Sequence, residues 1–597
     1  MFAERLSGFQ GSLKSFRPDC LPGAGDQPAV PEERLVEKLV LAGEAALAAS
    51  WPQIRAYDYR EYGLNGNRSR FEELYFRRRL MLNDLALAEW AQGQGRFLDA
   101  IIDGLILILE ESGWQLPAHN SYERGGKRLS LPNPDDPVVD LFAAETAAIL
   151  STTLYLLRDR LDALDPLVTT RVEREIHRRI FKPYLDRHFW WMGRGDERMN
   201  NWTAWITQNV LLAAFTLPTD DTLRRAILPK ALSSLDAFLK DYAEDGACEE
   251  GVVYYRHAGL CLFGAMTILD QVAPGAMAPL WQEPKIRNMA EYICHMHVGG
   301  DYYFNFADSS AVVPPCGARE YLFGRAVGSG PLMGFAAADF ARDENRLMPK
   351  EWNLWYRLQA ILAAPEIGRY GRPAPAKADH YFPGIGLAIA RDDRFALAVK
   401  GGHNGESHNH NDVGSITLYK DGQPLLIDVG VETYTAKTFS PRRYEIWTMQ
   451  SAYHNLPSFG GVMQADGQQF SARDMLVRSD MDEAEISLDI AGAYPAEAEV
   501  QSYRRRVRLI RGRHVEIQDD YRGARPATLC LMTVLQPRPD RGVIWLGQQA
   551  EIRVEGASAI TVEEIEINDA RLRQSWPDRL YRLLVPLAGS TLTLTIS

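Results

Sequence analysis

Apolar residues recur at one period in the first part of this 597-residue chain and at another in the rest, and the change falls near residue 370. Before it the period is helical. In Leu141-Phe142-Ala143-Ala144-Glu145-Thr146-Ala147-Ala148-Ile149-Leu150, and on through Leu154 and Leu157, apolar residues return every three or four positions. Segments 97–109, 202–215, 223–242 and 260–272 repeat the pattern, with Pro and Gly between them. Successive amphipathic helices without intervening strands predict an all-α layer or ring over residues 1–370. Gly371-Arg372-Pro373-Ala374-Pro375-Ala376-Lys377 lies in a stretch, 371–380, that reads as a linker. From 381 to 597 the period is two, as in Ser415-Ile416-Thr417-Leu418-Tyr419, Val507-Arg508-Leu509-Ile510, His514-Val515-Glu516-Ile517 and Thr591-Leu592-Thr593-Leu594-Thr595. No parallel βαβ rhythm appears, so the second half is expected to form antiparallel sheets. The length also exceeds what one hydrophobic core supports. The fold class is therefore multidomain α+β.

Composition narrows the partners. Hydrophobic content of 46% and charged content of 24% are those of an ordinary globular protein. There is no run of about 20 apolar residues, so no membrane-spanning helix is expected. The segment Met1-Phe2-Ala3-Glu4-Arg5-Leu6-Ser7-Gly8 lacks a charged-then-apolar leader. The expected location is cytoplasmic as the sequence stands, or periplasmic or secreted if a leader has been removed. Six scattered cysteines without a Cys-x-x-Cys suggest reduced thiols and not a disulfide scaffold or zinc ribbon. A net charge of −12 argues against nucleic acid as a partner. An acidic ligand requires a locally basic cleft, and Arg194, Arg198, Arg256, Lys400, Lys437, Arg442 and Arg443 lie near the motifs below.

Three of the chain's 12 histidines fall in eight residues, in His403-Asn404-Gly405-Glu406-Ser407-His408-Asn409-His410-Asn411-Asp412. Neutral imidazole is both a transition-metal ligand and a proton carrier near pH 7. The strand-like run Pro424-Leu425-Leu426-Ile427-Asp428 follows, then Ser451-Ala452-Tyr453-His454-Asn455. His410, Asp428 and His454 make a His/Asp/His set for one divalent metal, zinc or manganese, and leave His408 for chemistry. An alternative set exchanges His408 for His410, because both would face one side of a regular strand. The plainer alternative is a polar Asn/Gly loop with solvated histidines.

Three further segments mix polar and aromatic residues. Arg198-Met199-Asn200-Asn201-Trp202-Thr203-Ala204-Trp205 opens a helix, where an Asn caps the first turn or donates its amide to a substrate carboxylate while a Trp stacks on a sugar. Asp245-Gly246-Ala247-Cys248-Glu249-Glu250-Gly251-Val252-Val253-Tyr254-Tyr255-Arg256-His257 delivers two tyrosines and a His at the start of another helix. A phenol there packs or caps, or moves a proton if a cation or metal lowers its pKa. Trp114-Gln115-Leu116-Pro117-Ala118-His119-Asn120 places His119 in a third such loop.

Asn-Asn-Trp before a helix, Asp-Gly-x-x-x-Glu-Gly-x-x-Tyr about 50 residues later, and His-Asn-His-Asn-Asp with Asp-Val-Gly and Ala-Tyr-His-Asn in a β-rich half together resemble the heparinase II/III-type polysaccharide lyases. The resemblance spans roughly residues 90–480. It implies an N-terminal (α/α) toroid, a C-terminal antiparallel β-sandwich, and β-elimination on uronate-containing polysaccharides such as heparan sulfate, hyaluronan, chondroitin or alginate. Carried over, Asn201 or Asn200 neutralises the uronate carboxylate and Tyr254 protonates the leaving oxygen. His408 is the base or its helper, and His410, Asp428 and His454 hold the metal. Trp202, His119, Arg198, Arg443 and Tyr444 are the expected substrate contacts. Several members carry a His in the Asn-Asn-Trp region, whereas this chain has none between His188 and His257. The base is thus open between Tyr254 and His408.

The chemistry needs these parts. The C5 proton of a uronate lies alpha to a carboxylate, so its removal builds charge there. A donor aimed at that charge is worth roughly 3–4 kcal/mol. A base at C5 and an acid at O4 each contribute about 10²–10⁴-fold. Two other classes compete: a toroidal glycoside hydrolase pairing Glu249 or Glu250 with Asp245, and a carbohydrate-binding protein without catalysis.

Overall fold

A computed structural model describes residues 1–7, 9, 11–22, 33–371 and 377–597. The chain divides into two compact units. Unit 1 comprises Met1–Tyr242, Arg256–Ala290 and Pro315–Pro375, and unit 2 comprises Ala243–Tyr255, Glu291–Pro314 and Ala376–Ser597. Half of the expected linker, residues 372–376, lies outside the described residues. The hydrophobic period does not reveal that two segments of the helical half, Ala243–Tyr255 and Glu291–Pro314, cluster with the β half, because periodicity reports local structure only.

Unit 1 is an (α/α) toroid whose inner helices are buried around most of their circumference. The inner helices are α1 (Ser69–Gln92), α2 (Leu141–Leu164), α3 (Asn201–Thr216), α4 (Val252–Val272), α5 (Ala318–Ala326) and α6 (Leu354–Ile367). An apolar helix has no solvent face to present, so it sits inside a second layer. Glu33–Ala48 packs outside α1, Pro166–Ile176 outside α2, Asp221–Asp241 outside α3 and Gly330–Arg342 outside α5. Helix α4 has the length and hydropathy of a membrane span, but its most apolar window is 83% buried among its neighbours. Gly264 lets α4 approach α3, since a Cβ there would strike Gln208. Helix α6 packs on α5 and α2, and its Arg357 reaches Asp84 of α1 at 2.7 Å, which closes the ring. Asp140 caps α2 and Asn200 caps α3 through side-chain oxygens that accept first-turn amides.

The sheets of unit 2 are antiparallel throughout the described residues. A five-stranded sheet runs in chain order through His380–Phe382, Leu387–Arg391, Phe395–Lys400, Ile416–Lys420 and Gln423–Leu426. An eight-stranded sheet has Val500–Ile510 and His514–Gly523 near its middle. A four-stranded sheet joins Pro457–Phe459 to Ala527–Thr533 and Arg579–Pro586. Val500–Ile510 alternates buried and exposed residues, as a strand with one face on a core must. Its inward side chains Tyr503, Val507 and Leu509 join Leu397, Leu418 and Leu529 in one sandwich core.

One inward residue is charged. Arg505 makes two hydrogen bonds to Asp519, both 2.8 Å long, and donates to the carbonyls of Gly414 (2.8 Å) and Asn455 (2.7 Å). Tyr503 donates its hydroxyl to the same carboxylate at 2.6 Å. The guanidinium thus ties a core strand to the backbone beside Asp412 and beside His454. Removing one member of such a buried pair leaves the other charge uncompensated. Arg505→Leu is expected to lose about 3–5 kcal/mol of stability, read as a lower urea midpoint.

A buried carboxylate links two histidines in the candidate active site

Unit 2 gathers its titratable side chains around Asp308, which the sequence reading did not single out. This carboxylate is fully buried in the turn Phe306-Ala307-Asp308-Ser309. Oδ2 accepts from His408 Nδ1 at 2.7 Å and from the Tyr434 hydroxyl at 3.0 Å. Oδ1 accepts from His410 Nε2 at 3.1 Å and from Arg443 Nη2 at 2.6 Å. Burial alone would raise the acid's pKa. The two imidazole hydrogen bonds and the Arg443 charge reverse that and hold it well below the usual carboxylate range.

His408 and His410 diverge because the backbone between them is not a strand. His408 has φ +57°, in the left-handed region, so the two-residue alternation fails. His408 meets one oxygen of Asp308 and His410 the other. The His408 Nδ1–H is committed to Asp308, and its Nε2 lies 3.3 Å from Glu250 Oε2. Burial lowers its pKa, but the Asp308 hydrogen bond and the Glu250 charge outweigh that and raise it overall.

Tyr254 sits in the first turn of α4 with its ring 4.3 Å from the His408 ring. Its hydroxyl hydrogen-bonds the hydroxyl of Tyr434. Since Tyr434 donates onward to Asp308, Tyr254 is the donor in that contact. Burial first, and then the Asp308 charge, push the Tyr254 phenol far above its ordinary pKa; Arg571 counteracts only in part. The phenol therefore holds its proton, contrary to the lowered pKa that the sequence reading allowed. Two contacts bring this turn to Asp308. Val253 donates its amide to Ser309 Oγ at 3.3 Å, and Gly251, at φ +87°, packs where a Cβ would meet Ser309 at 2.6 Å.

His410, Asp428 and His454 form a buried group whose potential ligand atoms all lie within 4.8 Å of one another. His410 spends Nε2 on Asp308 and His454 spends Nδ1 on the Gln450 carbonyl at 3.0 Å. The other nitrogens, His410 Nδ1 and His454 Nε2, are buried without a hydrogen-bond partner. Asp428 Oδ1 accepts from Gly430 N (2.8 Å) and Asn305 Nδ2 (3.3 Å), while Oδ2 lies 3.3 Å from His454 Nε2. Two orphaned imidazole nitrogens beside a carboxylate, each ring fixed through its far nitrogen, are what a metal site requires. The group fits a metal ion, and the set with His408 in place of His410 does not form.

Other expected site residues are engaged elsewhere. Arg443 donates to Asp308 and to the carbonyls of Thr438, His408 and Asn409, so four of its five N–H groups brace the cluster. Tyr444 accepts from Asn409 Nδ2 at 3.1 Å. Lys400 is buried and donates to Glu406 and two carbonyls. Within unit 1, Asn200 Oδ1 caps α3 by accepting from Trp202 N at 3.1 Å, while Asn201 is buried beside it. His119 is fixed by Asp140 at 2.7 Å and meets the Trp202 ring edge-on at 4.6 Å. Trp202 also contacts Trp190 at 5.0 Å, and Arg198 is exposed. Asp308, Tyr434 and Arg571 are the residues that spacing alone did not bring forward, and Glu250, named there only as a hydrolase carboxylate, faces His408 instead.

Residues 374–586 match the family model described as heparinase II/III-like, C-terminal. No curated protein is similar enough in sequence to count as a match. Among solved structures, the chain resembles the heparan sulfate lyase HepC from Pedobacter heparinus at 14% identity and TM-score 0.56, covering 100% of this chain and 86% of that one. It resembles a heparinase III at 13% identity and TM-score 0.60, covering 94% and 89%. A chondroitin AC lyase of Streptomyces coelicolor A3 follows at 13% and 0.50, covering 100% and 82%. Residues 374–586 thus carry a heparinase II/III-like C-terminal domain, and the chain as a whole shares the toroid-plus-sandwich fold of these solved structures.

Proposed function

We propose that this protein is a polysaccharide lyase that cleaves uronate-containing glycosaminoglycans, or alginate, by β-elimination to give 4,5-unsaturated oligosaccharides. The observation that carries this reading is the hydrogen-bonded series Tyr254–Tyr434–Asp308–His408. It puts a phenol that keeps its proton against an imidazole whose Nδ1 is already committed. Elimination needs one group to give a proton and another to take one. Tyr254 suits the donor to the leaving O4, because burial keeps its phenol neutral. His408 suits the acceptor of the C5 proton, through Nε2, once the uronate takes the place of Glu250 Oε2, which lies 3.3 Å from that nitrogen in this structure. Asp308 sets its tautomer, and Arg443 keeps Asp308 charged.

The metal group supports the same loop. His410, Asp428 and His454 would hold zinc or manganese, ions that two imidazoles and a carboxylate accommodate. The ion would supply a rigid anchor for His410, and Asp308 passes that position on to His408. The paired-carboxylate hydrolase is disfavoured, because Asp245 spends its carboxylate on the amides of Ala247 (3.0 Å) and Gly384 (2.7 Å).

Incubation with heparan sulfate, chondroitin, hyaluronan and alginate should release ultraviolet-absorbing unsaturated ends from at least one of them. Tyr254→Phe should lower that turnover by at least about a hundredfold, the scale of general acid catalysis, with melting temperature kept. Products without the ultraviolet band would turn the assignment toward hydrolysis.

The two asparagines should separate in a paired measurement of melting and turnover. Asn200→Ala removes a helix cap, costs about 1 kcal/mol and spares activity. Asn201→Ala, which removes the proposed donor to the uronate carboxylate, should cut turnover about a hundredfold. The opposite pattern would exchange their roles.

Elemental analysis of protein purified without chelator should find about one zinc or manganese per chain, and His454→Ala should lose it. Metal-free protein with full activity would refute the site.

A further inference from the structure

The segment after Tyr434 carries features that neither the metal group nor the proton-transfer series uses. Lys437–Phe439 is a single 3₁₀ turn, and a second, Arg443–Glu445, follows. Phe439 is 47% exposed, an unusual state for a phenyl ring adjoining a buried polar cluster. Its ring meets Tyr434 edge-on at 4.9 Å and lies perpendicular to the His408 ring at 6.3 Å. Lys437, in the same turn, and Arg442 are 38% and 70% exposed, and both pair with Glu445, itself 51% exposed. Exposed pairs of this kind are weak, so an anionic ligand can displace Glu445 at little cost.

We infer that Phe439 is a stacking platform for a pyranose ring of the substrate, with Lys437 and Arg442 receiving that sugar's carboxylate or sulfate. A pyranose has an apolar face of C–H groups and a polar rim. A half-exposed phenyl covers the face, and cations two and three residues away meet the rim. The ring sits beside His408 and Tyr434, so the sugar it holds adjoins the reacting one. Arg443 is excluded from this role by its four internal hydrogen bonds. The inference rests on the proposed lyase reading and names residues that set its substrate preference. It selects polymers with an anionic group on the sugar next to the cleaved bond.

The test uses full-length protein with tetrasaccharides of heparan sulfate, chondroitin, hyaluronan and alginate. Binding is measured by calorimetry on a Tyr254→Phe background, and turnover on an otherwise native one. Phe439→Ala should raise KM about tenfold, the scale of one covered ring face, with kcat within about twofold. Phe439→Trp should restore KM, which a merely structural role for the ring would not predict. Lys437→Gln with Arg442→Gln should weaken binding and flatten its dependence on salt. Unchanged KM in Phe439→Ala, a loss confined to kcat, or failure of Trp to rescue would overturn the inference. Product formation with a silent Phe439→Ala would sink this inference alone. Binding that needs Phe439 but yields no unsaturated product would sink the lyase reading and keep the platform. Absence of both binding and product would remove both.

Discussion

A buried carboxylate survives only if other charges and donors replace the water it has lost, and Asp308 is the point where unit 2 meets that requirement. Taking a lone carboxylate out of water costs several kcal/mol. Here two imidazoles, a guanidinium and a phenol surround it. The same four contacts fix the positions of His408, His410, Arg443 and Tyr434. Order in the cluster therefore follows from the need to compensate one charge and does not require each side chain to be held separately.

That arrangement explains how a metal group can matter without touching a substrate. His410 has one nitrogen toward Asp308 and the other toward Asp428 and His454. A ligand on the second nitrogen immobilises the ring, and Asp308 transmits the position to His408. The Arg505–Asp519 pair acts on the same loops from the core side, through the carbonyls of Gly414 and Asn455. Both His-bearing segments are thus pinned from two directions.

Much of this was legible in the sequence, for identifiable reasons. The change of hydrophobic period marks the transition from helices to sheets, because burial on one face imposes 3.6 on a helix and 2 on a strand. His410, Asp428 and His454 stand out because metal-ligating residue types next to apolar runs are uncommon. Asp308 does not stand out: it lies in an ordinary turn about 100 residues before the histidines, within the helical half. Tyr434 is one tyrosine among 25. Arg443 was assigned to the substrate on its charge, yet charge says nothing about the direction of a guanidinium, and the fold turns this one inward. The His408/His410 ambiguity was resolved by a backbone angle, φ +57°, that no residue pattern at that position announces.

The segments Ala243–Tyr255 and Glu291–Pro314 have an implication for how such proteins are assembled from modules. They carry Glu250, Tyr254 and Asp308, and they cluster with a β half that otherwise begins after the linker. The family match from 374 to 586 therefore covers His408, His410, Asp428 and His454 but not Glu250, Tyr254 or Asp308, which cluster with them. A cut at the period switch would keep the histidines with the sheets while parting them from Tyr254 and from the carboxylate that orients them. A fragment that begins at the linker would therefore carry His408 and His410 without the acid that compensates and fixes them.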